Sequence, residues 1–463
     1  MADIDAFVVA EADALVRELS EWCAIPSIST DPAYRREVRR SADHLAGLME
    51  AAGLRAEVLT TADAQPAVYG EWLGAGPDAP TLTVYGHHDV QPVDPLDAWT
   101  TPPFEPSVRD GYLHARGASD DKGQIHFQIS AVRHLLATDG RLPVNLKFVV
   151  EGEEEAGSPN IDAFLDEHAK RLACDVIVVS DTAMYSEGVP SLVTAMRGLA
   201  YFQIDLRTAE ADLHSGAFGG TVPNAAAALV ELLGKLTDSR GRIAIPRWYD
   251  EVVALTDAER EQFARLPFDP AWFAGTAGVR ELPGEEGWTP LERIWGRPSV
   301  DVNGLWSGYT GEGSKTIIPA EAHAKVSFRL VADQDPELLR PRLEAWARDN
   351  APLGSEVSVA WHSGVRPCLT PIDHPANTAA ARAIERAFGV APLFTREGGS
   401  GPERALSDAL AAPCVYIGVM LPDDRIHAPN ERLKLSQYFR GVRAAAYALE
   451  EFARPEVASV LRR

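Results

Sequence analysis

The sequence predicts an α/β protein: a mainly parallel sheet with helices on both faces, interrupted by an inserted α+β domain. Three observations carry this expectation. Apolar runs without alternation, at 81–85 (TLTVY), 144–150 (VNLKFVV) and 175–180 (DVIVVS), are interleaved with helical patterns. Such runs mark strands buried on both faces, as parallel sheets require. Near Arg197 the pattern changes to strict alternation, at 199–207 and 321–330, which suits a sheet with one face toward solvent. Near Pro371 the first style returns. The expected division is 1–196 with 371–463 for one domain, and 197–370 for the other.

Element by element, Val38, Ala42, Leu45, Leu48 and Met49 recur at helical spacing and Gly53 stands as a C-cap. Helices are expected from Asp120 to about 137 and over 161–172. In the insert, helices are expected at 223–236 and 336–350, and a strand at 356–361. The segment 240–300 is rich in Pro, Trp and acidic residues and receives no assignment. After it come helices at 376–388 and 402–411, a strand at 413–419 and a last helix at 435–452.

At 463 residues the chain exceeds one ordinary core. Its hydrophobic share of 46% and charged share of 24% are those of a globular protein. A net charge of −23 argues against nucleic acid and anionic membrane as partners. The first 14 residues alternate acidic and apolar types without a basic start, so no secretory leader is expected. No apolar run approaches the ~20 residues that span a bilayer. Cys23, Cys174, Cys368 and Cys414 form no CxxC pair; they read as buried thiols of a reducing, cytoplasmic compartment.

The chemistry lies at the strand ends. His87 and Asp89 follow the first apolar strand (YGHHDVQP), Glu154 and Glu155 the second (EGEEEAGS), and Asp181 the third (VVSDTAMY). His427 follows the strand at 413–419 (IHAPNE). Open α/β sheets bind ligands beyond the carboxyl ends of their strands. Asp120 and Asp121 sit in a Gly-flanked turn (ARGASDDKGQ) at a helix start. Each piece alone has a plainer meaning. An acidic run is usually a solvated loop, paired aspartates are usually an N-cap with a first-turn charge, and a lone histidine is usually a loop residue. Together they put several carboxylates and two histidines at one edge, where the carboxylates repel unless a cation lies among them. Nitrogen and oxygen donors of this kind suit zinc.

These motifs resemble those of the co-catalytic zinc peptidases, the family of carnosinases, cytosolic non-specific dipeptidase, glutamate carboxypeptidase and aminoacylase. The resemblance runs from HHDVQP to HAPNE in family order. It leans to the dipeptidase branch through SDDKGQ, DLHSG, GSKTIIP and REGGSGP. It implies two divalent ions per subunit, zinc foremost, with manganese or cobalt as alternatives. His87 and Asp181 complete one metal site, Glu155 and His427 the other, and Asp120 bridges them. A cis peptide is implied at Asp120–Asp121. Asp89 becomes the carboxylate behind His87. The residues alone leave open which of Glu153, Glu154 and Glu155 is the base; the family register selects Glu154 as base and Glu155 as ligand.

The resemblance further implies that Arg329, Thr316, Gly399 and Ser400 hold a substrate carboxylate, for which an arginine fork is apt. His214 of DLHSG becomes a lid histidine reaching the neighbouring subunit of a homodimer formed through the inserted domain. The expected reaction is hydrolysis of the amide bond of dipeptides or short peptides by a metal-bridged water, activated by a glutamate base. The rival reading is an aminoacylase or carboxypeptidase of the same family. A non-catalytic binding protein on this fold predicts a missing ligand or base, and none is missing. The remaining histidines, His88 among them, are expected to play no part.

Overall fold

The computed structural model describes residues 3–61 and 64–462. Their contacts form two compact units. The first holds the chain up to Thr194, Thr370–Thr395 and the chain from Gly401 on; the second holds Ala195–Leu369 and Arg396–Ser400. The division read from the sequence differs chiefly in that last segment. Arg396 is buried and donates from Nε to Glu259 Oε1 at 3.0 Å, and the Arg197 N–H donates to the Gly399 carbonyl at 3.0 Å. Both partners belong to the second unit, so the segment is held there.

In the first unit a six-stranded sheet runs in the order Arg55–Leu59, Ala67–Trp72, Asn145–Glu151, Thr81–His87, Val176–Val179, Cys414–Tyr416. The last four pair in parallel. Asn145–Glu151 is buried at every residue, with Leu146, Phe148, Val149 and Val150 supplying its apolar character. Ala67–Trp72 runs antiparallel to both its neighbours, Arg55–Leu59 and Asn145–Glu151, so the sheet is mixed at one edge. Arg55–Leu59 is half exposed, and its short charged run (RAEVL) carried no apolar signal. Helix Lys122–Asp139 is buried around almost its whole first three turns, as a helix enclosed in a core must be. It shares that core with Trp22, Phe148, Tyr438 and Phe452.

The second unit is built on an antiparallel sheet in the order Ser299–Ser307, Glu321–Leu330, Gly198–Arg207, Glu356–Val365. Burial alternates along the two central strands. Their inner face packs Phe202, Phe328 and Val326 with Leu229, Leu339 and Leu343 of helices Ala225–Leu233 and Pro336–Asn350.

The unassigned 240–300 segment contains three short helices, Asp257–Arg265, Pro270–Ala277 and Pro290–Gly296. The first and third open with reciprocal capping boxes, Thr256 with Glu259 and Thr289 with Glu292. The sequence carried the signal, TDAE and TPLE followed by helical residues. Among the described residues no helix is long and apolar enough to cross a membrane.

Candidate metal centre

The parallel strands of the first unit deliver the candidate donors from their carboxyl ends. His87 is the last residue of its strand and stands in register with Glu151. The glycine before it is required: a Cβ on Gly86 would lie 2.3 Å from Asp121 Oδ2. With that space open, Asp121 Oδ2 accepts the His87 N–H at 3.0 Å. The Asp120–Asp121 peptide is cis, as the family resemblance implied. His427 sits in a loop at φ 58°.

The two histidine rings converge on one carboxylate. His87 Nε2 lies 3.0 Å from Asp120 Oδ1, and His427 Nε2 lies 2.9 Å from Asp120 Oδ2. Asp181 Oδ2 is 3.6 Å from His87 Nε2, and Glu155 Oε2 is 3.2 Å from His427 Nε2. Two groups result, His87–Asp120–Asp181 and Asp120–Glu155–His427, each with its ligand-type atoms within 4.8 Å of one another. On its other side, His87 Nδ1 faces Asp89, 3.1 Å from the main-chain oxygen and 3.4 Å from Oδ1. That leaves Nε2 toward the cluster, the usual division of labour in a metal-bound imidazole.

The three consecutive glutamates of EGEEEAGS, Glu153, Glu154 and Glu155, separate. Glu153 turns to the backbone, accepting from the N–H groups of Gln65 and Asn160 at 3.0 and 3.1 Å. Glu155 joins the metal-type cluster. Glu154 belongs to neither group. Burial pushes its carboxyl well above the usual range; His87 works against this, and Asp181 and Glu155 add to it.

Five carboxylates, Asp89, Asp120, Glu154, Glu155 and Asp181, thus share this pocket with two imidazoles. Burial opposes ionisation of Asp120, but hydrogen bonds to His427 and His87 outweigh it and hold its carboxyl far below normal. Burial, with Asp120 adding to it, raises Asp181 to about 7. Hydrogen bonds to Asp120 and Glu155 pull the His427 ring up to about 10. The cluster draws positive charge onto its imidazoles, and an oxygen-and-nitrogen donor set of this composition fits zinc, manganese or cobalt.

The sequence reading missed Gln91, whose side-chain amide donates to Glu155 Oε2 at 2.7 Å. It lies in the quoted HHDVQP, two residues past Asp89. His88 turns away, with Nε2 2.8 Å from the Pro66 carbonyl, and burial lowers its ring to about 4.

The expected substrate residues all lie in the second unit. Arg329 Nη1 donates to Ser400 Oγ at 3.0 Å, and no ion pair to Arg329 occurs among the described residues. Gly399 stands beside them through its bond from Arg197, whose Nε also donates to the Gly398 carbonyl at 3.2 Å. The sequence reading gave Arg197 no part. His214 is exposed on a two-stranded ribbon, paired with Ile317. Its Nδ1 accepts the Gly216 N–H at 3.0 Å, and the Ser215 N–H donates to the Thr316 carbonyl at 3.1 Å.

Known proteins resemble this chain along nearly its whole length. The chain is 32% identical to the human Beta-Ala-His dipeptidase over 459 residues, 95% of this chain and 90% of that protein. It is 30% identical to the Cys-Gly metallodipeptidase DUG1 of Saccharomyces cerevisiae, covering 94% of each. Among solved structures it matches an M20 family metallo-carboxypeptidase, Sso-CP2 from Sulfolobus solfataricus, with TM-score 0.82 and 30% identity, covering 95% of this chain and 99% of that one. Human carnosine dipeptidase 1 matches with TM-score 0.75 and 31% identity, covering 97% and 98%. The model of one family, Peptidase family M20/M25/M40, matches residues 83–451, a span that includes all five of the clustered donors His87, Asp120, Glu155, Asp181 and His427, and the chain belongs to that family.

Proposed function

We propose that the protein hydrolyses the amide bond of dipeptides or short peptides with a free C-terminal carboxylate, using two divalent ions, zinc foremost. One observation carries the reading: the two oxygens of Asp120 lie at 3.0 and 2.9 Å from two different histidines. A carboxylate so placed could offer one oxygen to each of two ions. His87 and Asp181 would hold one, Glu155 and His427 the other.

When bound, the ions polarise the scissile carbonyl and acidify water. The residues do the rest. Glu154 stays free of the ligand groups, takes the proton of the attacking water and passes it to the leaving amine. Asp89 keeps the His87 ring oriented. Arg329, Gly399, Ser400 and Thr316 take the C-terminal carboxylate, Arg329 through its planar fork. His214 acts across a homodimer formed by the second unit, donating to the oxyanion in the neighbouring site. Its Nδ1 already accepts a backbone N–H, which leaves the Nε2 proton to donate. The four cysteines form no disulfide, three being buried and Cys174 partly exposed, in keeping with a reducing cytoplasm.

A second reading, a carboxypeptidase that trims longer peptides, is favoured by the TM-score of 0.82 to the Sulfolobus metallo-carboxypeptidase. A panel of dipeptides, longer peptides and N-acyl-amino acids separates the two, assayed with zinc, manganese and cobalt after chelation. Turnover confined to dipeptides supports the first reading. Release of the last residue from longer chains supports the second. No peptide turnover with any metal overturns both.

A further inference from the structure

We infer that Glu431 is a positioning residue that sets the bridging Asp120 against His427. This rests on the metal-centre reading above. Glu431 is fully buried and accepts four hydrogen bonds. Oε1 takes the N–H groups of Ser119 and Asp120 at 3.0 and 3.1 Å. Oε2 takes Arg116 Nη1 at 2.7 Å and the Gly117 N–H at 3.1 Å.

The plainer reading is a buried ion pair with Arg116, which is itself 2% exposed. Such pairs contribute little net stability against a well-packed apolar substitute. The geometry points elsewhere, since three of the four donors are main-chain N–H groups of the segment that ends at Asp120. Glu431 also lies four residues after His427 on one loop. The next residue begins strand Arg432–Lys434, which pairs in register with Tyr112–His114. The two stretches therefore run side by side into the metal cluster, and Glu431 joins them at its edge. A second carboxylate repeats the device: Asp424 Oδ2 accepts both Ser119 Oγ and the Leu421 N–H at 2.8 Å. Asp120 must present one oxygen to each histidine, so a main-chain shift there misplaces both contacts at once.

The test measures metal affinity, by competition with a chromophoric chelator using zinc alone, in wild type, Glu431→Asp, Glu431→Gln and Arg116→Met. Glu431→Asp keeps the charge but withdraws the carboxylate from the 117–120 backbone. It should weaken zinc binding by about 10–100-fold, the range for lost support behind a metal ligand. Its turnover should fall and recover in part with added zinc, with KM for peptide near wild type. Glu431→Gln keeps the volume, faces backbone donors with an amide, and should lose affinity likewise; it serves if the shorter variant does not fold. Arg116→Met removes the ion pair and should lower melting temperature while leaving zinc affinity close to wild type. Equal zinc affinity in wild type and both Glu431 variants overturns the inference, as does an equal loss in Arg116→Met. A wild-type protein that binds no zinc overturns the metal-centre reading instead.

Discussion

The Asp89 carboxylate takes the main-chain N–H of Glu155 at 3.1 Å on one oxygen. Its other oxygen lies 3.4 Å from Nδ1 of His87. One side chain thereby couples the ends of two adjacent strands and orients a donor on each. Substitution at Asp89 should disturb both metal groups, whereas substitution at Glu154 should disturb neither.

Metal content is the first expectation. Elemental analysis should find about two divalent ions per chain, as a two-metal hydrolase requires. Chelation should abolish peptidase activity and metal should restore it. Asp120→Asn should lower occupancy at both groups, and Asp181→Asn chiefly at one. Full activity in metal-free protein would refute the proposal.

Glu154→Gln should reduce turnover by roughly 10²–10⁴, the scale of a lost general base, with metal still bound. Glu155→Gln should lose metal as well, because Glu155 stands 3.2 Å from His427 within the ligand group. Metal analysis beside steady-state kinetics separates them. A Glu154 variant that loses metal and keeps activity per bound site would reverse the two roles.

Arg329→Lys keeps the charge and removes the fork. Activity on free dipeptides should fall more than activity on C-terminally amidated ones, which have no carboxylate to hold. The ratio of the two kcat/KM values is the measurement, and an unchanged ratio refutes carboxylate recognition.

Mixed dimers test His214. Subunits carrying His214→Ala and subunits carrying Glu154→Ala should each be nearly inactive alone. Co-expressed with random pairing, about half the dimers are mixed, each with one competent site, so roughly a quarter of wild-type activity should return. No recovery in verified mixed dimers shows that His214 does not act across the interface.

Glu18 should contribute a pH-dependent part of stability. Burial raises its pKa, but hydrogen bonds and charge from His126 and Arg133 outweigh this and lower it to about 2. A carboxylate depressed in the folded state stabilises above its unfolded pKa of about 4.5 and ceases to do so as pH falls toward 2. The melting-temperature difference between wild type and Glu18→Gln should therefore shrink over that window. A constant difference down to pH 2 would refute this linkage.

By itself the sequence determined the kind of fold and which segments carry the donors. Strands buried on both faces are rich in apolar residues, so TLTVY, VNLKFVV and DVIVVS announced themselves, and the polar residues just past them marked the carboxyl ends. Half-buried strands must alternate, so Glu321–Leu330 was legible to the residue. Capping boxes at Thr256 and Thr289 were equally local, and went unread only because Pro, Trp and acidic residues crowd that stretch. Tertiary structure decided the rest. Glu153 is taken out of the cluster by the N–H of Gln65, 88 residues away in sequence. The segment 396–400 is drawn to the second unit by Glu259, 137 residues from Arg396, and Glu431 grips a backbone more than 300 residues earlier. Local pattern reports which face of an element is buried. It does not report which distant group will meet a side chain, because that pairing is settled by how the elements pack.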